Sequence, residues 1–454
     1  MSGGWRSKVH GRVLMPAAYR LLGDRRFALV EQLLERDGWS REQLLAHQAR
    51  RVSQLFQMCQ DHNPYWRAKF EEFSVRVNSG DPLAELAKLP VLTKDEVRAN
   101  WRLMRSGHLR DSEVVVESSG GSTGMQVNLF QSRTYRELHA ANEYRARAWM
   151  GIAPGEPLLA IQADGTYIKG KKRLLRSIRM AIERGNIIDG LQIDPPTARS
   201  ALFAAAKRKP VHILGYTTPM VAIARIAREL RLDWGSVRAV STTAERLLDH
   251  DRELLGETYG APVYDRYGSR EVNSISMECS AGGHHVFSDL NVVEFAPLEN
   301  ADDEMNAIIV TPLDNEAMPL FRYRGGDEAA PVAGSCACGR GLPLMTGCRG
   351  RIANNFVTSD GRLINGGYFS RYFYHQEGFR AFQFHQTDVR TIQIYVAPDG
   401  ALSEDRRRYL DSIVQSVHRD YPNQFDLRLN IVEEIPRRAS GKHLFTISDV
   451  LLHV

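Results

Sequence analysis

A run of glycine and hydroxyl residues lies between two apolar segments early in the chain. In "SSGGSTG", Ser118–Gly124, three glycines and four hydroxyl residues occupy seven consecutive positions. Val114–Val116 precedes the run and Val127–Phe130 follows it, and both segments are typical of strands. Glycines let backbone N–H groups point inward without Cβ atoms in the way, which suits a loop around an oxyanion. The run therefore predicts an anion-binding loop, with a flexible surface turn as the alternative.

The glycine-rich run does not match a Walker phosphate loop. That motif requires a lysine after its last glycine, and no lysine occurs within Ser118–Ser132. Each of four later stretches, taken alone, is typical of an ordinary turn or tail. They are "YDRYGSREVN" (Tyr264–Asn273), "FRYRGGDE" (Phe321–Glu328), "CRGRIANNF" (Cys348–Phe356) and "RRASGKHLF" (Arg437–Phe445).

Three cysteines and one histidine form a candidate set of metal ligands. Cys279 and His285 stand in "ECSAGGHHVFSD", and Cys336 and Cys338 stand in "SCACGRG". Three thiolates and one imidazole suit a tetrahedral zinc site. The two fragments lie far apart, so reduced core cysteines beside a surface histidine pair are the alternative. His284 competes with His285 as the imidazole ligand.

The segments that would hold these residues alternate between strand and helix. From about Val114 to Ala330, short apolar runs such as "VHILGY", "VRAVST" and "AIIVTPL" alternate with helical stretches such as "PMVAIARIAREL". Alternation of this kind indicates an α/β domain, in which the loops after the strands carry ligands.

The N-terminal part, to about residue 110, is predicted to be mostly helical. Ser40 and Gln43 have the spacing of a capping box at the start of a helix. Leu45, Ala49, Val52 and Phe56 then follow at helical spacing, which is typical of one buried helix face.

The last hundred residues predict a small α+β unit of ferredoxin-like type. Ile392, Ile394 and Val396 alternate as in a half-buried strand, a helix capped by Ser403 follows, and "DLRLNIVEEI" alternates again. We therefore predict a large domain over residues 1–349 and a small domain over residues 350–454.

Composition and charge narrow the class of protein. Charged residues are 25% and hydrophobic residues 43%, as in ordinary globular proteins. The net charge of +5 is too small to indicate a nucleic-acid partner. An odd number of cysteines, five, does not suit a disulfide framework. No apolar run has membrane-span length, and Pro16 and Arg20 interrupt the N-terminal apolar stretch. We expect a cytosolic protein without a membrane span.

In order and spacing, the glycine-rich run and the four later stretches resemble the adenylate-forming (AMP-binding) superfamily. "NPYW" at Asn63–Trp66, "PVLTKDE" at Pro90–Glu96 and the C-x-C pair resemble the phenylacetate–CoA ligase and CapK-like branch. The resemblance runs from the Ser40 helix to Lys442. It implies a large multi-layer α/β domain, a small mobile C-terminal domain and an ATP-dependent, AMP-forming acid ligase.

The resemblance also assigns nucleotide-binding roles to matching positions. The glycine-rich loop would hold the β- and γ-phosphates of ATP, Thr243–Glu245 and Tyr267 would flank the adenine, and Asp327 would bind the ribose. Ser269 would lie near the substrate carboxylate, and Arg351 would support ribose or phosphate. The matching positions are Ser119, Gly121, Ser122, Thr123, Gly124, Ala244, Glu245, Tyr267, Gly268, Ser269, Asp327 and Arg351.

Two charged residues would carry the chemistry. The resemblance makes Glu271 a ligand of Mg²⁺, a hard cation that prefers oxygen. It makes Lys442 the group that bridges the attacking carboxylate and the α-phosphate. The products would be an acyl-AMP and pyrophosphate, with CoA as the expected acceptor and an aryl acid among the candidate substrates. The branch includes members with a metal site of the C…H…C-x-C type, and this resemblance favours zinc at the cysteine and histidine set.

Two positions depart from the pattern of the superfamily, and two further functions stay open. Met125 stands where many members have a lysine, and Asn354 stands where the hinge is often acidic.

A CapK-like enzyme would pass the acyl group to an amine in cell-surface polysaccharide assembly. A nucleotide-binding module without turnover is the third hypothesis. The sequence leaves the acid, the acceptor, the pathway and the oligomeric state open.

Overall fold

Helices and strands alternate along the chain as the sequence predicts. The computed structural model describes residues 9–119, 127–162, 171–190, 195–245, 247–297, 306–348, 356–360, 363–364, 366–373, 376, 378–435 and 446–450. The α-helices of this part are α1 (Met15–Leu21), α2 (Arg26–Glu35), α3 (Arg41–His62), α4 (Pro64–Glu72), α5 (Pro82–Lys88), α6 (Lys94–Asn100), α7 (Arg133–Trp149), α8 (Lys171–Ile182), α9 (Pro195–Lys207), α10 (Thr217–Glu229), α11 (Asp249–Tyr259), α12 (Gly366–Ser370) and α13 (Glu404–Asp420).

The strands are short and belong to several sheets. They are β1 (Val114–Ser119), β2 (Val127–Ser132), β3 (Leu158–Gln162), β4 (Gly185–Asp189), β5 (His212–Tyr216), β6 (Ala239–Thr243), β7 (Val263–Ser269), β8 (Asn273–Glu278), β9 (His284–Val286), β10 (Asn291–Pro297), β11 (Asn306–Pro312), β12 (Tyr323–Ala329), β13 (Pro331–Val332), β14 (Leu344–Met345), β15 (Phe356–Val357), β16 (Leu363–Ile364), β17 (Phe379–Gln386), β18 (Thr391–Pro398), β19 (Asp426–Ile431) and β20 (Thr446–Ser448).

The largest sheet of the described residues has nine strands in the order β13-β14-β9-β8-β7-β6-β5-β3-β4. Its strands β3, β5, β6 and β7 run parallel, and β8 turns back antiparallel to β7. The carboxyl ends of parallel strands share one edge of a sheet. Strands β5, β6 and β7 therefore bring Tyr216, Thr243 and Ser269 to the same edge.

Helix α3 shows where the predicted buried face is right and where it is wrong. Ser40 and Gln43 form the capping box, with Ser40 N–H donating to Gln43 Oε1 at 2.8 Å. Val52 and Phe56 have no exposed surface, but Leu45 is 43% exposed. Buried His47 and Gln48 take part in this face instead, because their side chains hydrogen-bond to backbone carbonyls of residues 288, 289 and 291.

The C-terminal part is the small α+β unit that the sequence predicts. Its four-stranded sheet has the order β19-β18-β17-β20. Helix α13 connects β18 to the parallel strand β19. The alternating residues of β18 and one face of α13 share a buried core, which includes Ile392, Ile394, Val396, Leu410, Ile413 and Val417.

The chain divides into two compact units. The larger comprises Met1–Glu117, Asn128–Ile188 and Pro196–Gly350, and the smaller comprises Ser118–Val127, Asp189–Pro195 and Arg351–Val454. Among the described residues, no helix has both the length and the apolar character of a membrane span.

A buried ion-pair network connects distant segments of the larger unit. The side chains of Arg145 and Asp289 have no exposed surface, and Arg145 Nη1 donates to both Asp289 carboxylate oxygens at 2.9 and 3.0 Å. Arg145 Nε donates to Asp37 Oδ1 at 2.7 Å, and Trp149 Nε1 donates to Asp37 Oδ2 at 2.7 Å. The network therefore joins α7 to the segment between α2 and α3 and to the segment after β9.

Replacing Arg145 by methionine is expected to lower the unfolding free energy of the larger unit by about 3–5 kcal/mol. Buried Asp289 would lose both hydrogen bonds from Arg145 and keep only Arg36, whose Nη1 lies 3.5 Å from its Oδ2. Urea denaturation followed by tryptophan fluorescence measures this loss. All six tryptophans belong to the larger unit, so the signal reports on that unit alone.

The matched control is Arg199→Met, which removes an exposed pair with Glu229 at 2.6 Å. It should change the stability by less than about 1 kcal/mol. Equal effects of the two substitutions would contradict a structural role for the Arg145 network.

Candidate active site and metal cluster

A cavity of about 620 Å³ lies at the carboxyl edge of the parallel strands. Tyr216, Thr243 and Ser269, at the ends of β5, β6 and β7, line it, and α7 forms another wall with His139 and Glu143. Open α/β sheets hold their ligands at this edge, in concave sites with a few polar groups. The cavity is the candidate active site.

Thr243 and Ala244, which were predicted to flank adenine, line the cavity at the end of β6. Ala244 has a φ of 71°, in the left-handed region where a Cβ atom costs roughly 1–2 kcal/mol. Non-glycine residues in that region cluster at functional sites. Glu245 follows them, and its backbone carbonyl accepts a hydrogen bond from Thr217 Oγ1 at 3.1 Å.

Tyr267 and Asp327, the residues predicted for adenine and ribose, are in direct contact. The Tyr267 hydroxyl donates to Asp327 Oδ2 at 3.1 Å, which joins β7 to β12. Burial, reinforced by the charge of Asp327, raises the pKa of Tyr267 well above its usual value. The phenol is therefore a hydrogen-bond donor at neutral pH, and it fixes the Asp327 carboxylate.

Gly268 and Ser269 complete the cavity-lining end of β7. A Cβ atom on Gly268 would lie 2.3 Å from the backbone oxygen of Asn273, so only glycine fits this turn without movement. Ser269 Oγ accepts the backbone N–H of Val272 at 3.4 Å, which holds the loop that carries Glu271.

Glu271, the predicted Mg²⁺ ligand, is a buried carboxylate with 5% of its surface exposed. Lys94 Nζ lies 3.2 Å from its Oε1, and the Tyr323 hydroxyl donates to the same oxygen at 3.4 Å. Burial alone would raise the pKa of Glu271, but the charge of Lys94 and hydrogen bonds outweigh it and lower the pKa below 4.5. Glu271 is therefore ionised at neutral pH, and an ionised carboxylate is the kind of oxygen ligand that Mg²⁺ prefers.

Lys94, which pairs with Glu271, is a residue whose role could not be predicted from the sequence. It stands in "PVLTKDE", a stretch that indicated the branch but no chemistry, and it begins α6. Its ammonium group is the cation that pairs with the Glu271 carboxylate.

Several predicted site residues lie outside the described residues. They are Gly121, Ser122, Thr123, Gly124, Arg351 and Lys442, together with the departures at Met125 and Asn354. Ser119 is the last residue of β1.

The predicted metal ligands Cys279, His285, Cys336 and Cys338 come together. Their ligand atoms all lie within 4.8 Å of one another. Cys279 Sγ is 3.5 Å from Cys336 Sγ, and His285 Nε2 is 3.1 Å from Cys338 Sγ. These separations suit four ligands around one tetrahedral ion, since zinc–sulfur bonds are about 2.3 Å long.

Neighbouring groups orient this cluster. His285 Nδ1 lies 3.1 Å from the backbone oxygen of Leu342, so Nε2 is the nitrogen that faces the thiol of Cys338. A Cβ atom on Gly283 would lie 2.7 Å from Cys336 Sγ, so the loop needs glycine to approach the thiol. His284 lies outside the cluster and is 3.5 Å from Asp265 Oδ2. Both histidines are buried, so the alternative of a surface histidine pair is wrong.

Replacing Lys94 by methionine is expected to destabilise the larger unit by about 3 kcal/mol at neutral pH, since Glu271 would be buried without its cation. In the parent protein the lowered pKa of Glu271 contributes stability above its unfolded value of about 4.3, and this is lost as the pH falls through the folded pKa. The difference between variant and parent should therefore shrink toward about pH 4. Urea denaturation at the two pH values measures it.

Two further variants control this prediction. Adding Glu271→Gln to Lys94→Met should recover much of the lost stability, because the uncompensated charge is gone. Lys69→Met, which removes more exposed pairs with Glu72 at 3.1 Å and Glu96 at 3.5 Å, should have a small effect. An equal loss from Lys94→Met at both pH values would contradict the proposed pairing.

Similar proteins of known family or structure support both the observed fold and the resemblance inferred from the sequence. Residues 356–449 match the family model of the CapK C-terminal domain. The phenylacetate-coenzyme A ligase of Thermus thermophilus is 24% identical over 343 residues, which cover 72% of this chain and 73% of the ligase. The phenylacetate-coenzyme A ligase of Escherichia coli is 22% identical over 67% of this chain and 71% of its own length.

Solved structures share the architecture. A crystal structure of 2-hydroxyisobutyryl-CoA ligase in complex with 2-HIB-AMP and CoA aligns with a TM-score of 0.63 at 19% identity, covering 91% of this chain and 92% of the ligase. An open conformation of the same ligase aligns with a TM-score of 0.59 at 18% identity, covering 91% and 93%. This chain therefore has the fold of 2-hydroxyisobutyryl-CoA ligase, is similar in sequence to phenylacetate-coenzyme A ligases over about 70% of its length, and matches the CapK C-terminal domain model over residues 356–449.

Proposed function

We propose that this protein uses ATP to convert a carboxylic acid to an acyl-adenylate, releases pyrophosphate, and then transfers the acyl group to a thiol, with CoA as the acceptor. The observation that carries this proposal is the set of groups at the carboxyl edge of the nine-stranded sheet. Thr243, Ala244 and Tyr267 line the cavity there, Tyr267 bonds to Asp327 of β12, and the ionised Glu271 follows two residues after cavity-lining Ser269. Relatives and structural neighbours named as CoA ligases support the same class of enzyme.

Each residue would have a distinct task in the first half-reaction. Tyr267 would contact the adenine while its hydroxyl orients Asp327, whose second carboxylate oxygen is then available to the ribose hydroxyls. Glu271 would hold Mg²⁺, which would neutralise charge on the phosphates. Ser269 would contact the substrate carboxylate at the end of β7.

The acid carboxylate oxygen would attack the α-phosphate and pyrophosphate would leave. Negative charge builds at the α-phosphate in this step, and a cation placed there stabilises the transition state. We assign that cation to Lys442, in a small mobile domain that we place at residues 350–454. The thiol would then attack the acyl carbon, and AMP would leave with the oxygen that came from the acid.

ATP–pyrophosphate exchange with a panel of aryl, fatty, amino and hydroxy acids tests the adenylation step. Exchange with one class of acid would support adenylation and identify the substrate class. The absence of exchange with every acid, while ATP still binds, would favour a nucleotide-binding module without turnover.

Lys442→Ala is expected to lower the rate of acyl-AMP formation by about 10²- to 10³-fold, which is typical for loss of one group that stabilises transition-state charge. Single-turnover formation of acyl-AMP, quenched and measured by mass spectrometry, gives this rate. Lys207→Ala, at an exposed lysine that ends α9, is the matched control and should retain the parent rate. A Lys442→Ala protein with full activity would contradict the assignment.

The CapK C-terminal domain favours a second candidate, in which an amine accepts the acyl group during polysaccharide assembly. Product analysis with and without CoA separates the two. A thioester supports the CoA ligase, whereas an amide formed without CoA supports the CapK-like enzyme.

We further propose that the cluster of Cys279, His285, Cys336 and Cys338 holds a structural Zn²⁺, because all four groups are protein ligands and would fill a tetrahedral shell. The purified protein should contain about one zinc ion per chain by elemental mass spectrometry. Cys338→Ser should lose the metal and stability, whereas Cys59→Ala, a buried cysteine outside the cluster, should retain it. Well-folded protein without zinc would contradict the site.

A further inference from the structure

Two helical segments of the larger unit expose apolar side chains that the proposed reaction does not use. In the first, a π-helical turn (His10–Leu14) continues into α1 and ends near residue 22. The second is α8, and neither segment lines the cavity. Seven of the fourteen well-exposed large apolar side chains in the described part of the chain belong to these two segments. This concentration indicates an interaction surface, since singly scattered apolar residues need no such explanation.

The first segment has a buried apolar face and an exposed apolar face. Met15 and Tyr19 are buried in a small core. Leu14 and Leu21, which lie two helical turns apart, are on the opposite side and are exposed, Leu21 by 89%. A surface helix of a soluble protein normally has polar residues on its outer face, so this outer face is unusual.

Helix α8 has the same arrangement. Met180 marks its inner face, because a Cβ atom on Gly185 would lie 2.2 Å from Met180 Cε. Leu174 and Ile178 lie one turn apart and are exposed, Leu174 by 61%, and Leu175 beside them is exposed as well.

The two segments are neighbours in the fold. His10 Nε2 lies 2.6 Å from the backbone oxygen of Ile182, and the Tyr19 hydroxyl donates to Glu183 Oε1 at 2.5 Å. Ile182 also packs against the core that contains Met15 and Tyr19. The exposed residues therefore belong to the outer side of one packed pair of helices, and we call residues 10–22 and 171–182 the paired-helix surface.

The paired-helix surface is basic and contains no acidic residue. The basic residues of its two segments are Arg12, Arg20, Lys171, Lys172, Arg173, Arg176 and Arg179. The acids that follow the segments, Asp24 and Glu183, are ion-paired with Arg26 at 2.6 and 4.0 Å. The surface therefore combines exposed leucine and isoleucine side chains with uncompensated positive charge.

Charge complementarity requires an anionic partner, and the exposed leucines favour a lipid surface. A second copy of this chain would bring the same basic residues opposite one another, and like charges repel. A fluid acyl region accommodates projecting side chains such as Leu21 without a shaped pocket. Helices that carry basic and apolar residues together lie in the interface of anionic membranes in this way.

We propose that the paired-helix surface binds the surface of an anionic phospholipid membrane. Its leucine and isoleucine side chains would enter the boundary of the acyl region, and its arginine and lysine side chains would contact the lipid phosphates. The helices would lie on the membrane and would not span it. Membrane binding of this kind does not depend on the proposed function, because neither segment contributes to the cavity.

Co-sedimentation of the full chain with vesicles tests the proposal. One set of vesicles consists of phosphatidylcholine alone, and the other of equal parts of phosphatidylcholine and phosphatidylglycerol. The partition coefficient should be higher for the anionic vesicles by about 10-fold or more, because each basic residue near an anionic surface favours binding. It should fall when the salt concentration is raised from about 0.1 M to about 1 M, since the Debye length shrinks from about 10 Å to about 3 Å.

Variants locate the contact. Leu21→Gln, and Leu174→Gln combined with Ile178→Gln, should each lower the partition coefficient for anionic vesicles by about 10-fold or more, because apolar surface no longer enters the acyl region. The matched control is Leu103→Gln, at a leucine outside the two segments that is 62% exposed, and it should bind like the parent. Thermal unfolding followed by circular dichroism should be the same for all these proteins, since every replaced side chain is exposed.

Hydrogen–deuterium exchange identifies the bound segments in the unmodified chain. Anionic vesicles should slow the exchange of residues 10–22 and 171–182. Equal binding to both kinds of vesicle, or binding that the leucine and isoleucine variants leave unchanged, would overturn the proposal. Self-association of the parent in analytical ultracentrifugation, lost in the same variants and without vesicle binding, would assign the surface to contacts between copies and would also overturn it.

Discussion

The larger unit depends on the ion pairs of Arg145, whose guanidinium group has no exposed surface. It donates to Asp289 beyond β9 and to Asp37 between α2 and α3, while Trp149 donates to the second oxygen of Asp37. Arg340, from the segment that contains Cys338, lies 3.7 Å from Asp37 and 4.4 Å from the Trp149 ring. Charges buried this deeply are tolerated only when paired, so the network fixes how these segments pack around α7.

The same helix connects that network to the candidate site. Arg145 occupies one face of α7, while Arg136, His139 and Glu143 line the cavity. The anchored face therefore determines where the cavity-lining residues stand. Glu271 obeys the same electrostatic rule, since its buried carboxylate is ionised because Lys94 lies beside it. This paired carboxylate follows two residues after Ser269, which lines the cavity, and it provides a fixed negative charge in that loop.

Much of the fold could be predicted because it follows local patterns. The Ser40 capping box, the alternation of Ile392, Ile394 and Val396, and the four metal-cluster residues were all visible in short stretches. The buried face of α3 was partly misplaced at Leu45, because its polar neighbours His47 and Gln48 are satisfied by carbonyls some 240 residues away in sequence. Lys94 could be placed in the site only through its tertiary neighbour Glu271, which is far from it in sequence. The roles of Arg351 and Lys442 stay predictions.

The most direct test of an acyl-adenylate follows an oxygen atom. The acid is supplied with ¹⁸O in its carboxylate, together with ATP, Mg²⁺ and the acceptor, and the phosphorus-containing products are analysed by mass spectrometry. Attack of the carboxylate on the α-phosphate predicts that one labelled oxygen leaves in AMP, with none in pyrophosphate. Label in inorganic phosphate, with ADP as the other product, would instead show activation through an acyl phosphate. That result would contradict the central claim that this protein is an adenylate-forming enzyme.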